Sequence, residues 1–245
     1  MEGVEASAIG LLKRAVELDT GGQRLDEAAT CYQEGVSLLL SVMKATSDAG
    51  KKGRYREKIE EYLKRAEELK KHINQEKEAG KFHEQIHIEE DSIGHSYINL
   101  FGRFIDDRLT AVEVDDPYIR TVHQIYNFLR FCEVLVKKKS PLKKILLVTG
   151  VDEQDTNNQT QQQQKLDQIR KSLLHFNVVL EVQFSNTLHD REIRFDNGWV
   201  IKIGRGLDIY KPTENKFSIG FCDYDLRRCL ETTVDIFHRK FVKDG

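Results

Sequence analysis

The sequence predicts an α bundle followed by an α/β domain with a mixed sheet, and three observations predict it. Apolar residues recur at helical spacing in three runs over the first eighty residues. A polar stretch broken by glycine follows, and beyond it short apolar runs alternate with helical ones, the pattern of a layered domain. A chain of 245 residues with 39% hydrophobic and 32% charged content is long enough to bury one medium core and one small one.

The first run keeps Ile9, Leu12, Ala15 and Val16 on one helix face and ends at Gly21-Gly22. The second, Leu25 to Met43, carries Ala28, Ala29, Tyr32, Val36, Leu39, Leu40 and Met43 on a stripe, with Asp26 and Glu27 at the positive end of the helix dipole. Thr46 to Gly53 reads as a polar turn. The third run, from about Arg54 to Glu78, places Ile59, Leu63, Ala66, Leu69 or Lys70, and Ile73 along one side. Three such helices with short connections make a small antiparallel bundle over residues 7–78.

Residues 79–91 read as a linker, with Gly80 breaking the helix. His83 and His87 stand four apart, a spacing that would share a metal only on a helix, and no third ligand is evident. From residue 92 onward, Ala111 to Asp115 reads as a strand stopped by Asp116-Pro117, and Ile119 to Lys137 as a helix. Lys144 to Thr149 holds Ile145-Leu146-Leu147-Val148, short and wholly apolar, as a buried central strand should be. Asp152 to Gln164, with its glutamine run, reads as a solvated loop flowing into a helix that ends near Phe176. Val178 to Phe184 is the next strand, and Ile193 to Phe195 with Trp199 to Ile203 form a hairpin around Asn197-Gly198.

Charge and cysteine usage exclude several functions. A formal net charge of -2 argues against a general nucleic-acid binder, whose phosphate contacts need a basic excess. Cys31, Cys132, Cys222 and Cys229 are dispersed without a Cys-x-x-Cys pair, so free thiols are expected, with no zinc site and no cofactor. No run approaches the roughly 18 to 20 apolar residues of a membrane span, and Met1 to Gly10 lacks the features of a signal peptide, so a cytosolic protein is expected.

Two sets of residues carry chemistry. In the bundle, a groove lined by Val36, Leu40 and Met43 from the second helix and Leu63 and Ala66 from the third would accept a partner helix. Tyr62 and Leu63 widen the apolar face beyond what one packing seam needs, and Glu67 and Glu68 beside them would meet basic residues of an incoming peptide. In the second domain, His189, Arg191 and Asp196 have the spacing His-x-basic-x4-Asp, in which a histidine attacks phosphorus while a basic residue two positions on holds the phosphate oxygens. With Arg194, Lys202 and Arg205 they make a candidate phosphate- or lipid-binding set. Lys137-Lys138-Lys139 with Lys143-Lys144 is a candidate membrane-facing basic run, although such runs beside a buried strand are usually solvated loop.

Glu27-Ala28-Ala29, Cys31 to Val36, Leu38-Leu39-Leu40 and Tyr62 to Lys70 together resemble a MIT (microtubule interacting and trafficking) domain. That resemblance implies a groove between the second and third helices that binds the C-terminal tails of ESCRT-III subunits, the charged multivesicular body proteins. Leu63 would sit in the docking pocket, and Glu67 or Glu68 would face the peptide's arginines. Asp115 to Ile119, Asn127 to Phe131, His189 to Phe195, Gly204 to Asp208 and Thr232 to Phe237 resemble the phospholipase D-like domain that follows a MIT domain in one family. This implies a homodimer bound to acidic phospholipid, phosphoinositide included, in an ESCRT-III-associated factor of cytokinetic abscission at midbody and late endosomal membranes. Active phospholipase D enzymes carry His-x-Lys in two motifs, whereas this chain has His-x-Arg once and Gly204-Arg205 where Gly-Ser is usual. The substitutions favour binding over catalysis. The alternative is a phosphodiesterase or phospholipase recruited by ESCRT-III.

Overall fold

The computed structural model describes residues 2–22, 24–138, 140–151 and 156–239. It divides into two compact units, residues 1–84 and 85–245.

The first unit is the expected bundle of α1 (Glu2–Gly21), α2 (Leu25–Ala45) and α3 (Ala49–Glu78). Ala8, Leu12 and Ala15 of α1 pack with Ala28, Ala29, Tyr32, Val36 and Leu39 of α2 and with Ile59, Ala66 and Leu69 of α3. The third stripe therefore runs through Leu69, not Lys70. α3 starts five residues before Arg54 because Asp48 caps it, its carboxylate accepting hydrogen bonds from the Gly50 and Lys51 amides at 2.8 and 3.1 Å. Gly50 and Gly53, read as turn residues, lie inside the helix. Asp19 ties α1 to both other helices: Arg65 of α3 grips its carboxylate at 2.7 and 2.8 Å, and the Tyr32 hydroxyl of α2 donates to the same group at 3.1 Å.

In the second unit come α4 (Tyr97–Phe101), β2 (Ala111–Asp115), α5 (Val122–Lys137), β3 (Lys144–Thr149), α6 (Thr156–Leu174), β4 (Val179–Phe184), β5 (Glu192–Phe195), β6 (Trp199–Ile203) and β7 (Thr232–His238). Before them, β1 (His83–Ile88) occupies much of the segment read as a linker. Among the described residues these strands form one sheet in the order β1-β7-β6-β5-β2-β3-β4. β2, β3 and β4 are parallel, while β2–β5, β5–β6 and β6–β7 are antiparallel, so the sheet is mixed as expected. β1 was hidden by its composition: Glu84, Ile86 and Ile88 turn inward, but His83, Gln85 and His87 alternate with them. On a strand, His83 and His87 lie roughly 13 Å apart, beyond the reach of a shared metal.

Two further elements differ from expectation. The glutamine run is helical from Thr156, and Gln162 is buried, its amide donating to the Ile119 and Gly150 carbonyls at 2.8 and 3.0 Å. Residues 152–155 of the expected loop, and Lys139 of the basic run, lie outside the described residues. α5 begins at Val122 because the Gln124 side chain turns back to accept from the Thr121 amide at 3.1 Å. An aromatic cluster fills the space between sheet and helices, with Phe101 and Phe131 edge-to-face at 5.3 Å and Tyr97 against Tyr210 at 5.2 Å. All four cysteines are free thiols, three of them buried.

Candidate functional site

The docking groove read from the sequence splits in two. Val36 and Ala66, each 2% exposed, belong to the bundle core and line no surface. Their small or branched side chains sit where α2 and α3 approach, so the packing seam claims them. Leu40 and Met43 are half-buried at its margin, and Leu63 is 40% exposed on α3. Glu67 and Glu68 are exposed, Glu68 holding Arg65 at 3.3 Å. An apolar side chain left that open, beside two carboxylates, suits a basic amphipathic helix.

A second surface was missed. A cleft of about 440 Å3 runs between α1 and α3, lined by Ile9, Val16, Leu39, Tyr55 and Tyr62 with Lys13 and Lys58 at its rim. Spacing puts Ile9 and Val16 on one helix face with Leu12 and Ala15, yet both are exposed. The signal was the width of that apolar face, which exceeds what Ala8, Leu12 and Ala15 need for packing on α2.

In the second unit the residues of interest gather where the C-terminal ends of β2 and β3 meet the start of β5 and the end of β6. Crevices at the carboxyl ends of parallel strands are the usual ligand sites of such sheets. Asp116 follows β2 and is buried, accepting from the Tyr118 and Leu207 amides at 3.0 and 3.1 Å. Burial raises its carboxyl pKa above the ordinary aspartate value, against the pull of those two amides. Gly206 (φ 61°) is required there, because a β-carbon would fall 2.0 Å from the Asp116 carboxylate. Asp208 accepts from Asn127 at 3.1 Å and Gln124 at 3.3 Å, and His123 Nε2 lies 3.3 Å from it.

Arg191 stands over this wall. Its guanidinium lies 4.1 Å from the Tyr118 ring centre and donates to the Gly204 carbonyl at 2.9 Å. Arg120 flanks the same ring at 5.6 Å and donates to the Pro117 carbonyl at 2.8 Å. Tyr118 is 47% exposed, and the half-buried Arg191 and Arg120 flank its open ring. That arrangement can hold an anion by charge-assisted hydrogen bonds. Tyr118 and Arg120 were not singled out in the sequence, although Asp116-Pro117 marked the strand end that delivers them.

The other phosphate candidates are spent differently. His189 is exposed and precedes β5, so strand alternation does not place it beside Arg191. Asp196 is far from acting on His189, since its carboxylate accepts from the Thr110 amide at 3.0 Å and from the Thr110 hydroxyl. Arg194 is enclosed by Glu113 at 2.6 Å, Asp115 at 2.7 Å and Glu192. Three carboxylates against one guanidinium make that patch repel phosphate, so Arg194 is a structural cation. Lys202 lies 3.5 Å from Glu192, and exposed Arg205, next in the chain to the Gly204 whose carbonyl Arg191 holds, donates to the Glu231 carbonyl at 3.1 Å.

Comparison with known proteins follows the two units. Residues 94–238 match the family described as a phospholipase D-like domain at the C-terminus of MIT, and residues 5–71 match the MIT (microtubule interacting and transport) domain. Mouse (Mus musculus) MIT domain-containing protein 1 is 52% identical over 237 residues, covering 97% of this chain and 94% of that protein.

Proposed function

Because the chain belongs to the family that joins a MIT domain to a C-terminal phospholipase D-like domain, we propose that it is a non-enzymatic adaptor between ESCRT-III tails and acidic phospholipid, acting in cytokinetic abscission. MIT domains as a class bind ESCRT-III tails. The observation that carries the proposal is the open leucine on α3: Leu63 spends 40% of its surface on solvent while its neighbours in the stripe are buried. A tail helix laid against Leu63, Leu40 and Met43 would bury it, with Glu67 meeting the tail's basic residues.

The lipid end is the Arg191–Tyr118–Arg120 cluster, two cations on one ring at one end of the sheet, with exposed Arg205 on the following loop. Binding is favoured over turnover because His189 and Asp196, the residues a phosphoryl-transfer step would need together, are held apart by the Asp196–Thr110 contacts. Two copies joined through the second unit would double both ends and gain avidity. An apolar run along α5 and α6, with Val122, Tyr126 and Phe176 exposed, offers a face for that pairing. Peripheral attachment at midbody and late endosomal membranes follows from the two bindings, and no described helix is long and apolar enough to cross a membrane.

Leu63→Asp tests the tail-binding end. It should weaken binding of an ESCRT-III tail peptide by several kcal/mol, because a charge enters an apolar contact, while helicity by circular dichroism is unchanged. The α1–α3 cleft supports a second reading of where the tail lies. Full affinity in Leu63→Asp together with its loss in Val16→Asp would move docking to that cleft.

A further inference from the structure

Phe217 is 99% exposed and Ile219 84% exposed, at the tip of the long loop between β6 and β7. No other large apolar side chain among the described residues is more than 58% exposed, and holding two this open in water is costly. The loop is also built to hold them out. Arg227, buried at its base, donates to the Lys211 carbonyl at 3.2 Å, to the Phe221 carbonyl at 2.9 Å and to the Gly220 carbonyl, which fastens both stems of the loop to one guanidinium. That guanidinium lies 4.6 Å from the Tyr224 ring centre, and Arg130 stacks on the same ring at 4.2 Å. Gly220 (φ 86°) permits the sharp return, since a β-carbon there would meet the Leu226 carbonyl oxygen at 2.6 Å. At the tip, the Asn215 carboxamide accepts from the Phe217 amide at 2.8 Å. Order has thus been imposed before any ligand arrives.

We infer that this loop inserts Phe217 and Ile219 into the acyl boundary of a lipid bilayer, with Lys216 beside them at headgroup level. The inference rests on the membrane-binding reading above and adds an apolar term to its electrostatic one. A bilayer is the occupant because it accepts side chains singly and needs no complementary pocket, whereas a specific protein interface covers on the order of 1,000 Å2 or more and two projecting side chains fall far short of that. Insertion also explains why the turn that the Asn215 carboxamide closes on the Phe217 amide leaves Phe217 and Ile219 pointing into solvent.

The test uses the full chain and vesicles of equimolar phosphatidylcholine and phosphatidylserine. Trp199, the single tryptophan, is buried, so a Phe217→Trp variant adds an emission that reports the tip. Its emission should shift to the blue on adding vesicles and be quenched by lipids brominated in the acyl chain. Phe217→Ser with Ile219→Ser should reduce vesicle partitioning about tenfold or more, without change in far-ultraviolet circular dichroism. Co-sedimentation with no emission shift, and full binding by the double variant, would overturn the insertion and leave the acidic-lipid reading standing. Failure of the unaltered chain to co-sediment would overturn both. A double variant that keeps its vesicle binding but loses self-association would assign the tip to a protein contact and also overturn the inference.

Discussion

Arg191 and Arg194 stand three positions apart and do opposite work. Arg194 has given its charge to Glu113, Asp115 and Glu192, which raises its own pKa despite the cost of burial. Arg194→Ala should therefore cost about 2–3 kcal/mol of stability, chiefly because Asp115 and Glu192 are left nearly buried without a counter-charge. Urea unfolding measures this, and vesicle binding by the folded fraction should be unchanged. Arg191→Ala should do the reverse, weakening acidic-vesicle binding with little loss of stability, since its guanidinium still has donors facing solvent. His189→Ala should have the smaller effect on binding. At the other end, hydrogen bonds from Arg65 hold the Asp19 carboxyl below the ordinary aspartate range. A folded-state pKa lower than the unfolded value of about 3.9 stabilises the fold fully above that value and ceases to do so as pH falls through the folded pKa. Asp19→Asn should cost about 1 kcal/mol at neutral pH, discounted for the exposure of Arg65, and the difference from the unaltered chain should narrow as pH falls below the unfolded aspartate value of about 3.9. Urea transitions of the helical signal at the two pH values decide it.

Among the elements, those with uninterrupted apolar periods were legible and those whose polar residues do structural work were not. α2 was readable to within two residues, and β3 to the residue, because burial alone specifies them. The glutamine helix was not, since nothing in a polar tract announces that Gln162 will turn inward to bind two carbonyls. β1 was unreadable for the same reason: its inward positions include Glu84. Close helix approach is another property that local spacing conceals. Gly35 lies where α2 meets α1, and a β-carbon there would fall 2.8 Å from Leu12 Cγ and 2.9 Å from Leu12 Cδ2. Gly35→Ala gains about 1 kcal/mol of helix propensity. Overpacking at Leu12 should cost more, about 1–3 kcal/mol, so thermal unfolding is expected at lower temperature; a rise would show that α1 yields freely.

For the whole molecule, composition and the change of period gave away two units of different class, and the resemblance of each unit to its family supplied the expectation of a tail-binding end and a lipid-binding end. The detail of the sites was less legible. Burial divides one apolar stripe into core residues such as Val36 and Ala66 and an open residue such as Leu63, and spacing alone cannot make that division. Likewise a basic residue in sequence is silent about whether carboxylates from neighbouring strands will neutralise it, as they do for Arg194, or whether it will face solvent beside an aromatic ring, as Arg191 does. On this proposal one chain joins a tail to a membrane without chemistry. Its most direct test is flotation of a fluorescent ESCRT-III tail peptide with phosphatidylserine-containing vesicles in the presence of the full chain, with phosphodiester release followed in the same tube. The peptide should float only when the chain is present and stay behind with Leu63→Asp although that variant itself floats, and the lipid should remain uncleaved; peptide left at the bottom with the unaltered chain, or lipid cleavage that vanishes with His189→Ala, would contradict an adaptor without chemistry.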